Sequence, residues 1–264
     1  MAYPYTFQDL AFGIGFIGVP GPTNIPTGGI WSKLSNRDDV GQYAPQAIQD
    51  ACLEYSQNYS FQKLQRTTTA PVQMTNNKIA YPFSTWVNAG DIPVFGTTAN
   101  PKLIPSFFMF YNVPIVGVPG YNPGIGLTYK TIDSLELMFS TPGTPAYWTR
   151  YNDQVFIAPQ PNNTFFSYMR YQIQHPTVAP AAALTDTMQL DDDWRELVEF
   201  GAAMRIATNL RMLDYATQYH NILYGDPKKK GDLGLYTARV SMQENDIVSN
   251  QGMRQIRPMN ARVS

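Results

Sequence analysis

The side chains able to do covalent or metal chemistry are few in this chain and poorly placed for it. Histidine occurs twice, as His175 and His220, and cysteine once, as Cys52. A zinc centre draws three or four ligands mainly from these types, so the ordinary Cys-rich and His-rich ligand sets are excluded. Cys52 lies among Ala51, Leu53 and Tyr55 in an apolar helical pattern and reads as a small buried hydrophobe rather than a nucleophile. Alone, it forms no internal disulfide, so the chain does not need an oxidising compartment. His175 precedes Pro176 at the end of a strand-like run, and His220 sits near the end of a helical one, where an imidazole suits the terminal carbonyls.

The residues Gly13-Ile14-Gly15-Phe16-Ile17-Gly18 spell GxGxxG. Dinucleotide binding needs a strand before that pattern and a helix after it. Here no strand-forming run precedes it and Pro20 follows at once. Asp191, Asp192 and Asp193 are of the type that binds hard cations, but capping of a following helix explains them more simply. Asp133, Glu136 and Asp153 offer a carboxylate pair for glycoside hydrolysis only in principle, because that chemistry depends on a separation that sequence does not give. Lys228, Lys229 and Lys230 read as a solvated turn, or as a charged mouth if copies of the chain surround DNA. No catalytic group, cofactor or metal is expected.

Composition points the same way. The 264 residues are long enough to bury a hydrophobic interior without staples. Charged residues make up 15 % of the chain against a usual level of about 25 %. Tyrosine, phenylalanine and tryptophan, at 17, 14 and 4 residues, take up much of the difference. A surface poor in charge and rich in tyrosine fits one covered by neighbours; a secreted all-β protein has a similar composition. The net charge of -1 argues against wholesale wrapping of nucleic acid, which requires many phosphates to be neutralised. It leaves room for a local, transient DNA contact. Gly and Pro interrupt residues 13–29 repeatedly, and no Lys or Arg precedes Lys33, so neither a signal peptide nor a membrane span is expected there.

The positioning elements follow from periodicity. Residues 1–38 read as an extended arm, with a short helix near Thr6 to Ala11. Val40, Ala44, Ala47, Ile48, Ala51, Tyr55 and Tyr59 recur at helical spacing within 39–66, with Pro45 moving the regular start toward Ala44. Prolines then forbid long helices through 67–176, and short strands are expected at 69–74, 78–83, 106–111, 133–139, 147–151, 154–157 and 165–172. Asn76-Asn77 and Asn152-Asp153 suit two-residue hairpin turns, and 90–131 reads as a long loop. After a linker, Asp193 is expected to cap a helix opened by Trp194 and running unbroken to Tyr224, with Gly201, Ala202 and Ala203 marking a close helix crossing. Gly225 closes that helix, and a last one is expected within 232–250. Residues 251–264 form a basic, aperiodic tail. The fold class is therefore α+β: a helical core from 39–66 and 191–250, an inserted antiparallel β region, and extended terminal arms.

The order of these elements resembles the head-to-tail adaptor proteins of tailed bacteriophages. The resemblance rests on Leu64-Gln65-Arg66-Thr67 and Lys78-Ile79-Ala80-Tyr81-Pro82 after the first long helix. It continues through Val155-Phe156-Ile157-Ala158-Pro159-Gln160-Pro161 and Tyr171 to Pro176, and ends on Trp194-Arg195-Glu196-Leu197-Val198 with Gly201-Ala202-Ala203. It covers roughly half of the chain; residues 1–38 and 90–131 fall outside it. The resemblance implies a virion protein forming a twelve-subunit ring beneath the portal, continuing the DNA channel and receiving a tail or nozzle protein. It also implies that the tail, with Met253, Arg254, Ile256, Arg257 and Arg262, docks into the portal. Alternatives from the same setting are a stopper or another tail-completion protein. A different class is a carbohydrate-binding β protein with Trp86, Trp148 and Tyr121 as stacking groups.

Overall fold

The structure, a computed structural model, describes residues 5–37, 39–96, 103–110, 125–176, 182–229 and 231–241. The fold is α+β, with helices from both ends of the chain and a central β region. Two compact units are present: Met1–Glu54 together with Thr177–Ser264, and Tyr55–Pro176.

The first unit begins with α1 (Phe7–Phe12), which opens on a reciprocal cap: the Thr6 hydroxyl accepts from the Asp9 amide, and the Asp9 carboxylate accepts from the Thr6 amide. A glycine-rich loop leads to α2 (Gly29–Lys33). The expected extended arm is thus corrected. Phe7, Leu10, Ala11, Phe12, Ile30 and Leu34 are all buried, because a run of aromatic and aliphatic residues this dense has more to gain from packing than from water. At Gly29, with φ of 66°, a Cβ would lie 2.4 Å from the Leu10 carbonyl oxygen, so only glycine lets α2 start this close to α1.

The next helix, α3 (Val40–Asn58), starts earlier than expected, with Pro45 inside it. The entry is tightened by i to i+3 bonds, Val40 donating to Arg37 and Gln42 to Asp39. The proline therefore falls in the early turns, where it costs one amide donor rather than breaking a mature helix. Val40, Ala44, Ile48, Ala51, Cys52 and Tyr55 are fully buried, as their spacing requires.

The expected continuous helix to Tyr224 is two helices, α4 (Arg195–Asn209) and α5 (Leu213–Tyr224). Between them Arg211 takes a left-handed φ of 57°. The Met212 amide donates to the Ala207 carbonyl at 2.8 Å and the Arg211 amide to Thr208 at 3.1 Å. These are the two bonds of a Schellman motif, normally closed by glycine. Arginine at the left-handed position hides the stop from a reading that looks for Gly or Pro.

Asp193 does not cap α4. It lies within the 3-10 turn Asp192–Trp194 that precedes the helix, and no side chain caps either element. Its carboxylate instead meets Arg239 at 3.1 Å, while the Arg239 guanidinium also donates to the Asp193 carbonyl at 2.9 Å. Trp194 and Gly201 are buried, as core residues should be. Residues 234–241 are helical, and Tyr236 meets Trp194 and Tyr224 edge to face at 6.5 and 5.2 Å.

The second unit is built on β1 (Gln65–Thr67), β2 (Val72–Met74), β3 (Ala80–Pro82), β4 (Pro93–Val94), β5 (Ser106–Phe110), β6 (Ile125–Tyr129), β8 (Tyr147–Tyr151), β9 (Gln154–Ala158) and β11 (Phe165–Ile173), with β7 (Pro142–Gly143) and β10 (Gln160–Pro161) paired separately. The main sheet runs β1-β11-β5-β6-β8-β9-β3, with β2 and β4 also on β11. It is mixed rather than wholly antiparallel, because β6 pairs with β8 in parallel, as does β10 with β7. β11 is its central member, paired with β1, β2, β4 and β5, and over residues 165–171 burial alternates along it: Phe165, Ser167, Met169 and Tyr171 are buried, whereas Phe166, Tyr168 and Arg170 are less so.

Three expectations change here. Residues 90–131 are not one loop, since β5 and β6 within them pair antiparallel. The expected strand 133–139 is a pair of 3-10 turns, Ile132–Ser134 and Glu136–Met138. Ile132, Leu135 and Met138 recur every three residues, which suits 3-10 geometry, and Leu135 is buried. The Asn76-Asn77 turn does not join paired strands, because β2 pairs with β11 and β3 with β9. Asn152 does turn the β8–β9 hairpin, with φ of 52° and Tyr151 opposite Gln154.

Several buried polar groups of this unit bond one another. The Trp86 indole donates to the Ser167 hydroxyl at 2.9 Å, and Thr68 accepts from the Met169 amide at 3.0 Å while its hydroxyl donates to the Trp86 carbonyl at 2.8 Å. Tyr171 donates to the Asp91 carboxylate at 2.6 Å. Burial, reinforced by that carboxylate, pushes the Tyr171 phenol up to about 12.

Candidate interaction surfaces

The few chemically capable residues are dispersed, and Cys52 and His175 are buried in the fold. Cys52 is fully buried, and burial pushes its thiol well above the usual range, away from nucleophilic chemistry. The buried His175 donates its backbone amide to the Ser56 hydroxyl at 2.8 Å. His220 is exposed on α5, its ring 5.0 Å from that of Tyr224 one turn later. Asp133 and Glu136 project to solvent from successive 3-10 turns, and Asp153 pairs with Arg150 at 3.2 Å. Among the described residues no group of three or more His, Cys, Asp or Glu is placed to hold a metal ion. No described helix is long and apolar enough to cross a membrane.

Lys228 and Lys229 are exposed in the turn after α5, where the Lys228 amide donates to the Asp226 carboxylate at 2.9 Å. Lys230 lies outside the described residues, as do Met253, Arg254, Ile256, Arg257 and Arg262 of the expected portal-docking tail. The proposed stacking groups of a carbohydrate site are corrected: Trp86 and Trp148 are fully buried and cannot stack on a ligand. They pack instead against Phe107, whose ring lies 5.2 Å from Trp86 and 4.4 Å from Trp148. Tyr121 lies outside the described residues.

In the first unit an ion cluster joins α1, α2 and α4. Glu199, buried on α4, accepts from Lys33 at 2.9 Å and from Arg195 at 2.8 Å. The Lys33 ammonium lies 4.6 Å over the Phe200 ring and the Arg195 guanidinium 5.1 Å over Tyr5. Asp9 belongs to the same neighbourhood. Burial would raise its carboxyl, but the amide of Gly15, the hydroxyl and amide of Thr6 and the charge of Arg195 outweigh that and hold it below the usual carboxylate range. A buried carboxylate with two cations is a registering device: each partner is costly to remove once the others are desolvated.

The loop between α1 and α2 is the surface that composition did not reveal. Its three glycines of the GxGxxG pattern all take positive φ, at 100°, 77° and 95°. The groups a phosphate would need are taken by the protein itself. The Gly15 amide donates to the Asp9 carboxylate at 2.9 Å, and the Gln8 amide group donates to the Gly18 carbonyl at 3.0 Å. Asn24 donates to the carbonyls of Ile17 and Val19 at 2.9 and 3.1 Å. So fastened, the loop turns Ile14, Ile17, Val19 and Ile25 outward. The sequence carries no Asp, Glu, Lys or Arg from Leu10 to Ser32.

In the second unit the less buried side of the sheet is aromatic. Register places Phe166 opposite Phe110, Tyr168 opposite Phe108 and Arg170 opposite Ser106. Phe110 and Tyr168 meet edge to face at 5.4 Å, and the Arg170 guanidinium stands 4.9 Å over Phe108. Aromatic rings with arginine and little lysine or acid are the composition of protein contact surfaces. Each unit, taken by itself, thus presents exposed apolar or aromatic side chains. Compared with known families and with characterised proteins, the chain matches no family model and no curated sequence.

Proposed function

We propose that this chain is a structural subunit of a ring at the neck of a tailed bacteriophage, docking below the portal as a head-to-tail adaptor and extending the DNA channel. The observation that carries the reading is the division of the chain. Helices from both ends fold into one compact unit while 55–176 form a second, which is the arrangement the resemblance implies for a helical core with a projecting β insertion. Exposed apolar side chains on a hydrogen-bonded loop support it, because such groups are normally covered in the working assembly. On this reading the protein's work is mechanical and electrostatic, with no catalytic step and no cofactor. Twelve copies surround the axis, Lys228 and Lys229 make at most transient, sequence-independent contact with DNA, the carboxy-terminal tail engages the portal, and the distal face takes a tail or nozzle protein. A neighbouring role as a stopper or tail-completion protein uses the same surfaces with a different partner. The test is a pull-down with purified portal followed by electron microscopy. A ring coaxial with the portal supports the reading, and retention of the protein away from the vertex overturns it.

A further inference from the structure

We infer that the less buried face of the β11-β5-β6-β8 part of the sheet is a platform for a single strand of nucleic acid, a ligand that carries both planar rings and regularly spaced anions. The inference goes beyond the ring reading and does not depend on it. Two cations stand on rings of this face: the Arg170 guanidinium 4.9 Å over Phe108 and the Lys130 ammonium 4.0 Å over Tyr147. Between them the surface is low. Phe108 lies opposite Gly126 in the β5–β6 pair, and continuing that register by one residue brings Ser106 beside Thr128. Ser106, Gly126 and Thr128 are all exposed, and a Cβ at Gly126 would meet nothing within 4 Å. A glycine inside a strand with open space above it leaves the flank of Phe108 accessible to a ligand.

Charge decides what fits there. Among the described strands no Asp or Glu occurs, and residues 55–176 hold seven Lys or Arg against four Asp or Glu, in a chain whose net charge is -1. The face therefore offers donors and positive charge without a competing carboxylate. Arg170 lies opposite Ser106 and Thr128 beside Tyr147, so three strand spacings, about 14 Å, separate the Arg170 and Tyr147 backbone positions. One phosphate cannot meet both cations, whereas an extended polyanion can. A neutral apolar partner would bury both cations unpaired, and an acidic peptide would pair them through carboxylates that have no use for the rings. The hydroxyls of a glycan need acceptors as well as donors, and these strands supply no carboxylate. A duplex keeps its bases inside the stack. An unstacked strand uses everything the face offers, because its bases stack on aromatic rings and guanidinium planes while its phosphates meet the cations.

The experiment is fluorescence anisotropy of a labelled oligothymidylate of about 10 nucleotides, titrated with the full chain over a range of salt concentrations. The variants are Arg170→Gln with Lys130→Gln, Phe108→Leu, and Gly126→Val, and unchanged thermal melts check that each folds. The charge variant should bind about 10-fold more weakly at low salt, and its plot of log affinity against log salt should be shallower by about 1.4, the loss of two phosphate contacts on a single strand. Phe108→Leu should also lose about 10-fold, through stacking, but keep the wild-type slope. Gly126→Val fills open space without touching charge or ring, so it should weaken binding at an unchanged slope and keeps the face testable even where Phe108→Leu melts early. An oligouridylate of the same length distinguishes RNA from DNA, and binding of either strand supports the inference. A wild type that leaves both strands free at low salt overturns it, as does a charge variant with the wild-type slope or a Gly126→Val variant with wild-type affinity. Equal binding of a duplex of the same length overturns it in favour of a purely electrostatic contact. Displacement of the oligonucleotide by poly-glutamate at equal charge overturns it in favour of an acidic protein segment.

Discussion

Asp9 holds together three pieces of the first unit, since its carboxylate accepts from Thr6, at the amide and the hydroxyl, and from the Gly15 amide. Its folded carboxyl lies below the unfolded value. The stability it contributes is therefore fully present above the unfolded pKa of about 3.9 and is lost as pH falls through the folded value. Asp9→Asn should cost about 1 to 2 kcal/mol at neutral pH and should flatten the acid limb of stability below about pH 4. Urea midpoints measured from pH 7 down to pH 2 check both, and an unchanged acid limb contradicts the role given to Asp9. Arg211 makes a second prediction at this scale. Glycine adopts its left-handed φ of 57° without strain, so Arg211→Gly should be neutral or stabilising by up to about 1 kcal/mol. Arg211→Val should lose about 1 to 2 kcal/mol. Equal urea midpoints for the two variants would remove the strain from the account. A short helix near Thr6 to Ala11 was legible in the sequence, and α1 is found there; the turn at Arg211 was not, because nothing in its chemistry announces a left-handed φ.

Among the elements, the strands 147–151, 154–157 and 165–172 were readable because aromatic and β-branched residues run between prolines and the Asn152-Asp153 turn. The same logic failed at 133–139, where the three-residue recurrence of Ile132, Leu135 and Met138 belongs to 3-10 turns. Residues 193–224 show why helix length is harder to read than helix existence. The apolar pattern of α4 continues into α5, but the backbone stops and restarts through hydrogen bonds that no side-chain pattern encodes. Within α4, Gly201 with Ala202 and Ala203 is buried where the helix packs among α1, α2 and α5. Gly201→Leu should overpack that interior and cost about 1 to 3 kcal/mol. A urea midpoint matching wild type would show that α4 has room the packing does not suggest.

At the level of the whole molecule, size, charge and the α+β class followed from composition and periodicity, while the exposed apolar loop between α1 and α2 did not. Exposure of Ile17 and Val19 depends on how Asp9, Gln8 and Asn24 fasten the loop, and that arrangement is tertiary. The amino-terminal segment was misread for the same reason: its Gly and Pro residues suggest a loose arm, but Phe7, Phe12 and Phe16 are buried. Deleting residues 252–264 should leave the melt unchanged and abolish capture by the portal, and equal capture of the shortened chain would remove the tail's docking role. The most direct measurement is cryo-electron microscopy of virions or of the purified protein bound to portal. The account predicts a twelvefold ring of this chain beneath the portal with the DNA channel passing through it. Density for this chain elsewhere in the particle, or a portal that remains bare in its presence, would contradict it.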